Sequence, residues 1–114
     1  MRGHVRQIVV DCHEPRRLVR FWAHLLGGEA EDRDRGWSHV ALSGSTRLAF
    51  QPVPETKAVK NRLHLDIAVE DVEVAAREAV GLGARRLGEV VTDDQGSFQA
   101  MLDPEGNEFC FVSP

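Results

Sequence analysis

Three side chains that carry a charge or a transferable proton lie two residues apart in the stretch 60–69: Arg62, His64 and Asp66. Residues two apart in a β-strand share one face, so these three are predicted to project together. The alternate positions are all apolar, namely Leu63, Leu65, Ile67 and Val69. The pattern predicts a strand over 62–69 whose polar face lines a cleft. The alternative is a solvated face with an ion pair of little energetic value.

The bulk composition argues against two classes of partner. The chain has 114 residues and a formal net charge of −4, whereas a nucleic-acid surface requires a basic footprint. No apolar run approaches the ~20 residues of a membrane span, and the first residues lack the apolar core of a signal peptide. Cys12 and Cys110 have no Cys-x-x-Cys spacing. We expect free thiols and a cytoplasmic location, with neither nucleic acid nor membrane as partner.

The first half of the chain predicts one strand, one helix and three more strands. Apolar alternation over residues 7–12 indicates the first strand. Pro15 suits the first position of a helix that continues to about Leu26, and Gly27 ends that helix. An antiparallel meander follows, with strands predicted at residues 29–34, 37–42 and 47–53.

The second half repeats this plan. After the strand at 62–69, Asp71 caps a helix that Gly83 closes, with Leu82 at the end of its buried stripe. A turn at 103–107 is predicted from its Asp, Pro, Gly and Asn residues. The remaining strands are predicted at residues 86–92, 97–102 and 108–112.

The repeat predicts an α+β fold with one domain over residues 1–114, built from a module at about 1–55 and a module at about 60–114. Each module has the order strand–helix–strand–strand–strand. The ferredoxin-like alternative has two strands between its helices, whereas four are predicted here. Two such sheets are expected to form a curved, incomplete barrel with the helices outside and a cleft inside.

Several motifs carry a family resemblance. They are Phe21-Trp22-x-x-Leu25-Leu26-Gly27, Leu82-Gly83-Ala84 and Asp103-Pro104-Glu105-Gly106-Asn107. With the paired modules, they resemble the vicinal oxygen chelate superfamily, which contains glyoxalase I, the bleomycin-resistance proteins and the extradiol dioxygenases. The stretches 50–55, 60–66 and 106–110 resemble its small bacterial glyoxalase-like branch. The resemblance covers nearly the whole chain and implies the fold, but the fold alone does not specify an activity.

The resemblance also implies a metal site, which this chain does not complete. Family enzymes hold a divalent ion with two His or Gln and two Glu side chains, from the first and last strands of each module. The matching positions here are Gln7, Ala49, His64 and Cys110. Ala49 has no donor atom, and a thiolate is unusual in an oxygen and nitrogen site. We therefore expect no metal cofactor. A displaced site would use His64, Gln7 and Glu108, although a two-residue step moves a side chain by ~6.5–7 Å.

The cleft residues support three hypotheses about function. The first is an isomerase, lyase or dehydratase of unidentified substrate, in which His64 is the acid–base residue, Glu108 a second proton acceptor and Asp66 a loose orienting partner. The second is a protein that sequesters an aromatic compound, as bleomycin-resistance members do. The third is a metal-dependent lyase with the displaced site. The predicted ligand contacts are Gln7, Gln51, Arg62, Cys110 and Trp37.

Two tryptophans and one histidine complete the predictions. Trp22 lies on the helix stripe and is predicted as core, whereas Trp37 is predicted to stack on a flat ligand or to lie at a subunit contact. His39 shares the face of Trp37 but is interpreted as a surface or core histidine. The resemblance also implies a homodimer.

Overall fold

A computed structural model describes all residues, 1–114, as an α+β chain with two helices and two open sheets, neither closed into a barrel. The predicted fold class is confirmed. The chain divides into two units, Met1–Thr56 and Lys57–Pro114. Neither helix is long and apolar enough to cross a membrane.

The first unit contains one helix and a four-stranded sheet in the order β1-β4-β3-β2. Its elements are β1 (Gln7–Cys12), α1 (Pro15–Leu26), β2 (Ala30–Asp32), β3 (Ser38–Ala41) and β4 (Arg47–Pro52). β1 runs parallel to β4, and the other pairings are antiparallel as the predicted meander requires. The predicted strand at 29–34 is shorter than expected, because the chain turns into a single 3₁₀ turn at Asp34–Gly36.

The helix α1 begins and ends as its sequence predicts. Pro15 occupies the first turn, and the Glu14 side chain makes no capping hydrogen bond. Gly27 adopts a left-handed conformation with φ of 68°, which ends the helix. One sheet face and α1 bury the core of the unit, which includes Leu18, Val19, Trp22, Val40, Leu48 and Phe50. Trp22 is therefore core, as predicted.

The second unit contains a five-stranded sheet, where four strands were expected. Its elements are β5 (Leu65–Ala68), α2 (Val72–Gly81), β6 (Arg85–Arg86), β7 (Val91–Asp93), β8 (Gly96–Leu102) and β9 (Glu108–Ser113). The predicted strand at 86–92 is two short strands, because the chain leaves the edge of β8 at Gly88, where φ is 80°. The Asp71 carboxylate caps α2 as predicted, accepting from the backbone N–H groups of Glu73 and Val74.

Two further boundaries of the second unit differ from the prediction. The strand β5 begins at Leu65, so Leu63 precedes the sheet and is 83% exposed instead of lying on its apolar face. His64 directly precedes the strand. The helix α2 ends at Gly81, which leaves Leu82 exposed beyond the last turn instead of in the buried stripe.

Candidate functional site

An open pocket of about 540 Å³ lies in the first unit, lined by Gln7, Arg33, Asp34, Arg35 and Trp37. Four of these residues belong to the turn between β2 and β3. The Arg33 guanidinium carbon lies 5.7 Å from the centroid of the Trp37 ring, a cation–π arrangement. The volume falls within the ~300–1,000 Å³ of small-molecule sites.

Backbone hydrogen bonds and a strained residue define this turn. The N–H of Arg33 donates to the carbonyl of Trp37 (2.7 Å), and the N–H of Trp37 donates to the carbonyl of Asp34 (3.3 Å). Arg35 has a φ of 62° and is the one residue other than glycine in this chain whose φ is positive. The left-handed conformation costs an L-residue ~1–2 kcal/mol. Such strain is concentrated at ligand and catalytic sites, so the turn is a candidate for function.

Asp32 attaches the start of this turn to α1. Its carboxylate accepts two hydrogen bonds from Arg20 (3.2 and 3.0 Å) and one from the Ser38 hydroxyl (2.9 Å). The Arg20 and Ser38 hydrogen bonds lower the pKa of Asp32. The turn that carries Arg33 and Trp37 is therefore fixed at its base, which gives the pocket rim a preset position.

Two buried polar atoms in the first unit have no hydrogen-bond partner: Oε1 of Gln7 and Nδ1 of His39. An unpaired buried polar group is costly, so each of these atoms would gain free energy from a hydrogen-bond partner. Nε2 of His39 lies 3.1 Å from the Glu31 carboxylate. Burial and the positive charge of Arg47 lower the pKa of His39, whereas the negative charge of Glu31 raises it. The net pKa is lowered, which favours a neutral ring.

A separate cluster in the second unit brings His64, Asp66 and Cys110 together. Their donor atoms all lie within 4.8 Å of one another, and Nε2 of His64 is 3.3 Å from Oδ1 of Asp66. Asp66 and Cys110 are partners in the parallel pairing of β5 and β9. Burial raises the pKa of the Cys110 thiol, and the Asp66 charge adds to this while Lys60 opposes it. The thiol is therefore mainly protonated at neutral pH.

Glu108 lies in a hydrogen-bonded network instead of facing solvent freely. Its carboxylate accepts from the backbone N–H of Asn61 (2.7 Å) and from Nζ of Lys57 (3.1 Å). Burial raises the pKa of Glu108, but the Asn61 and Lys57 hydrogen bonds outweigh burial, so the pKa lies below its ordinary 4.5. These contacts favour a role in anchoring residues 57–61 over the predicted role of proton acceptor.

The network predicts a pH-dependent contribution of Glu108 to stability. Because its pKa is lower in the folded chain, the contribution is present above pH 4.5 and is lost as pH falls through the folded-state pKa. Glu108→Gln is expected to lower the free energy of unfolding by about 1–2 kcal/mol at neutral pH. Urea unfolding from pH 7 to pH 3 measures this. A difference between variant and wild type that stays constant through the acid range would contradict it.

A comparison with protein-family models identifies the family of the chain. The family model described as a glyoxalase-like domain matches residues 7–112, which span both units. The chain belongs to the glyoxalase-like domain family. This confirms the resemblance to the vicinal oxygen chelate superfamily.

Solved structures agree with this glyoxalase-like assignment at the level of the fold. A glyoxalase/bleomycin resistance protein/dioxygenase family enzyme from Burkholderia phytofirmans PsJN has a TM-score of 0.81 at 16% identity, covering 97% of this chain and 98% of that one. A glyoxalase-related enzyme from Fulvimarina pelagi has a TM-score of 0.79 at 15% sequence identity, and the match covers 97% of this chain and 88% of that one. A glyoxalase/bleomycin resistance protein from Albidiferax ferrireducens T118 has a TM-score of 0.73 at 14% sequence identity, and the match covers 96% of this chain and 97% of that one. A search of curated protein sequences gives no match.

The residues of this glyoxalase-like chain do not fit the metal site that the resemblance implies. Ala49 is fully buried in β4 and offers only a methyl group. Cys110 supplies sulfur at the second carboxylate position. In the displaced set, the oxygens of Glu108 already accept from Lys57 and Asn61, so coordination would break those hydrogen bonds. No oxygen-rich four-donor set is therefore present at these positions.

The predicted site residues are divided between the pocket of the first unit and the His64–Asp66–Cys110 cluster of the second unit. Gln7 and Trp37 line the pocket of the first unit, and Cys110 joins His64 and Asp66 in the second. Gln51, on β4, and Arg62, exposed before β5, belong to neither group. The sequence interpretation did not single out Arg33, Asp34 or Arg35, and it assigned His39 as a surface or core histidine. The alternating charges of residues 33–35 directly before Gly36-Trp37 were the available signal.

Proposed function

We propose that this glyoxalase-like chain binds a small, flat organic anion in the pocket of its first unit. The observation that carries the proposal is one aromatic ring and two guanidinium groups around a ligand-sized volume, contributed by Trp37, Arg33 and Arg35. The Trp37 ring supplies a stacking surface, and aromatic side chains stack on flat ligands with a preference for offset geometry.

The charge around the pocket favours an anion. Arg33 and Arg35 carry two positive charges and Asp34 carries one negative charge, although the chain as a whole has a net charge of −4. Arg47 lies beside Gln7 in the register of β1 and β4, which adds positive charge to the same region of the sheet. Guanidinium groups bind carboxylates through paired hydrogen bonds, so an aromatic carboxylate matches both features of the pocket.

Gln7 supplies a third point of recognition. Its buried Oε1 has no partner, so a donor group on the ligand, such as a hydroxyl or an amine, would recover a hydrogen bond there. A site that leaves a polar atom unpaired when a donor is missing discriminates strongly against ligands without it. The proposed ligand is therefore an aromatic acid that carries a hydrogen-bond donor.

The test uses Trp37 as its own reporter. The chain has two tryptophans, so Trp22→Phe leaves Trp37 as the single one. Benzoate, naphthoate and their hydroxylated forms are titrated, with the corresponding neutral amides beside them, and the fluorescence of Trp37 is followed. We expect the acids to quench the fluorescence and to bind more tightly than the amides, because only the acids pair with guanidinium.

Matched variants separate the pocket from the general charge of the chain. Arg33→Ala is expected to weaken binding of the acids by about tenfold or more, the usual effect of losing one charge-assisted hydrogen bond. Arg17→Ala removes the same charge from an exposed position on α1 and should leave affinity unchanged. Equal affinity for acids and amides, or equal effects of the two arginine variants, would rule out this pocket as an anion site.

Acid–base catalysis by His64 is the second candidate function. The 3.3 Å contact between His64 Nε2 and Asp66 Oδ1 provides an orienting carboxylate for the imidazole. Because Glu108 is hydrogen-bonded to Lys57 and Asn61, we propose catalysis through the His64–Asp66 pair without it. A screen of isomerase, lyase and dehydratase substrates, followed by the pH profile of His64→Ala, tests this. Equal rates in both proteins would end the hypothesis. The homodimer and the cytoplasmic location stay predictions.

A further inference from the structure

We propose that His39 couples binding of the anion to uptake of a proton, so that the pocket of the first unit binds an aromatic acid more tightly as the pH falls. This role rests on the proposed function of that pocket and adds a means of regulating it. His39 lies on β3 in the same unit, outside the set of residues that line the pocket. It therefore acts on the ligand through its charge.

The charged groups that face His39 belong to the two strands beside β3 and to the pocket turn. Glu31 is the register partner of His39 on β2, and its carboxylate lies 3.1 Å from Nε2 of His39. Arg47 on β4 pairs with Ala41, two residues from His39, so both side chains project from one face of the sheet. Arg33 follows β2 and lines the pocket. Helix α1 packs against the opposite face of the sheet, so its charged side chains do not face His39.

A second proton on the His39 ring has a defined position. The neutral ring donates its Nε2–H to the Glu31 carboxylate, because the other tautomer would direct a lone pair at a negative charge. The second proton then goes to Nδ1, which is buried and has no hydrogen-bond partner. Burial lowers the pKa of His39, as do the positive charges of Arg47 and Arg33. The charge of Glu31 raises the pKa, but the net pKa is lowered, so the free protein holds a neutral ring at neutral pH.

An anion in the pocket reverses part of this effect. A bound carboxylate neutralises the positive charge of Arg33, which is one of the charges that oppose protonation of His39. The pKa of His39 is therefore higher in the bound protein than in the free protein. By linkage, binding takes up protons between the two pKa values, and the affinity for the anion rises as the pH falls through that range. Above both values His39 is neutral in both states, and its contribution to the affinity is constant.

The test measures the dissociation constant of benzoate from about pH 8 to about pH 5.5, a range in which its carboxylate stays ionised. Trp22→Phe leaves Trp37 as the fluorescent reporter. We expect the affinity to rise by at least about fivefold toward the acid end, the lower end of typical coupling between two sites. Failure of benzoate to bind at any pH would overturn the proposed function and the role of His39 together. Binding with an affinity that does not change with pH would overturn only the role of His39.

Three variants assign the proton to His39. His39→Asn should remove the rise in affinity, whereas His24→Asn, which removes an exposed imidazole in the last turn of α1, should keep it. Glu31→Gln removes the charge that raises the pKa of His39, so the rise in affinity should move to lower pH. The Glu31 side chain is 69% exposed, so this variant keeps the test valid if His39→Asn does not fold.

Nuclear magnetic resonance reads the proton on His39 directly. The ring signals of His39, assigned by their loss in His39→Asn, should titrate at higher pH with saturating benzoate than without it. A rise in affinity that persists in His39→Asn, a profile that is unchanged in Glu31→Gln, or ring signals that titrate at the same pH in both states would refute the coupling.

Discussion

Replacing Asp103 with alanine is expected to lower the free energy of unfolding by about 3 kcal/mol. Asp103 is 2% exposed and begins the turn that leads from β8 to β9. Its Oδ1 accepts from the backbone N–H of Glu105 (2.9 Å) and of Asn107 (3.0 Å), and its carboxylate also accepts from the Asn107 side-chain amide (3.0 and 3.1 Å). Alanine would leave these part-buried donors without the acceptor that now satisfies them, and a donor left without a partner costs up to ~1–3 kcal/mol when it is fully buried.

The effect should extend beyond the turn, because the same residues attach the segment that precedes β5. The Asn61 amide donates to Oδ1 of Asn107 (3.2 Å), and the Asn61 N–H donates to Glu108. Loss of the Asp103 carboxylate frees Asn107 and so weakens the Asn61 contact. Hydrogen exchange should therefore report faster opening at Asn61 as well as at Glu105 and Asn107.

Asp103→Asn is the matched control for this prediction. Asparagine has the same shape and keeps one carbonyl acceptor for the backbone N–H groups, but it loses the charge and places an amide donor against the Asn107 amide. We expect about half the loss of the alanine variant. Chemical denaturation of the three proteins measures both values. The threshold is about 1 kcal/mol, the typical net value of one hydrogen bond. If the free energy of unfolding of the alanine variant fell by less than that, the turn would tolerate unpaired donors and the prediction would be wrong.

The features that could be predicted from sequence are those with local causes. Pro15 and Gly27 bound α1 as predicted, and Asp71 caps α2, because the relevant backbone groups lie within four residues. The turn at 103–107 was predicted from the same kind of local chemistry. The repeated order of elements and the family resemblance then gave the α+β fold class.

Features that depend on the pairing of distant strands could not be predicted from the sequence. The contact between Asp66 and Cys110 exists because β5 and β9 pair in parallel with this register, across more than forty residues of chain. Alternation in each strand predicts which side chains share a face. It does not predict which residue of one strand lies opposite which residue of another, since that depends on the packing of both. The direct pairing of Asp66 with Cys110 was not predicted for this reason.

Gln99 shows a second limit, which concerns buried polar residues. It is fully buried on the same face of β8 as Met101, where alternation alone predicts an apolar residue. Its Oε1 accepts from Arg86 (3.0 Å), and its amide donates to the carbonyls of Gly88 (3.1 Å) and Ala100 (2.9 Å). The Gly88 carbonyl is available to Gln99 because the edge strand breaks there, whereas the sequence predicts a continuous strand over 86–92.

Gly96→Ala is the second substitution with a large expected effect. Gly96 begins β8 with φ of 127°, a conformation that L-residues rarely adopt. A Cβ atom there would lie 2.1 Å from the carbonyl oxygen of Ser113 and 3.0 Å from two Pro114 backbone atoms. Backbone strain and steric overlap act together, so we expect a loss of about 3–5 kcal/mol in the free energy of unfolding.

Gly44→Ala separates the two contributions. Gly44 also has a positive φ, 68°, but a Cβ atom there would meet nothing within 4 Å. Its variant should lose only the backbone term, about 1–2 kcal/mol. The difference between the two variants in urea denaturation therefore measures the overlap with Ser113 together with the higher backbone cost of a φ of 127° than of 68°. Similar losses in both would mean that the end of β9 moves away at little cost, and hydrogen exchange at Ser97, the ladder partner of Ser113, would then rise in the Gly96 variant. Unchanged exchange at Ser97 together with similar losses would contradict the strand pairing from which this prediction follows.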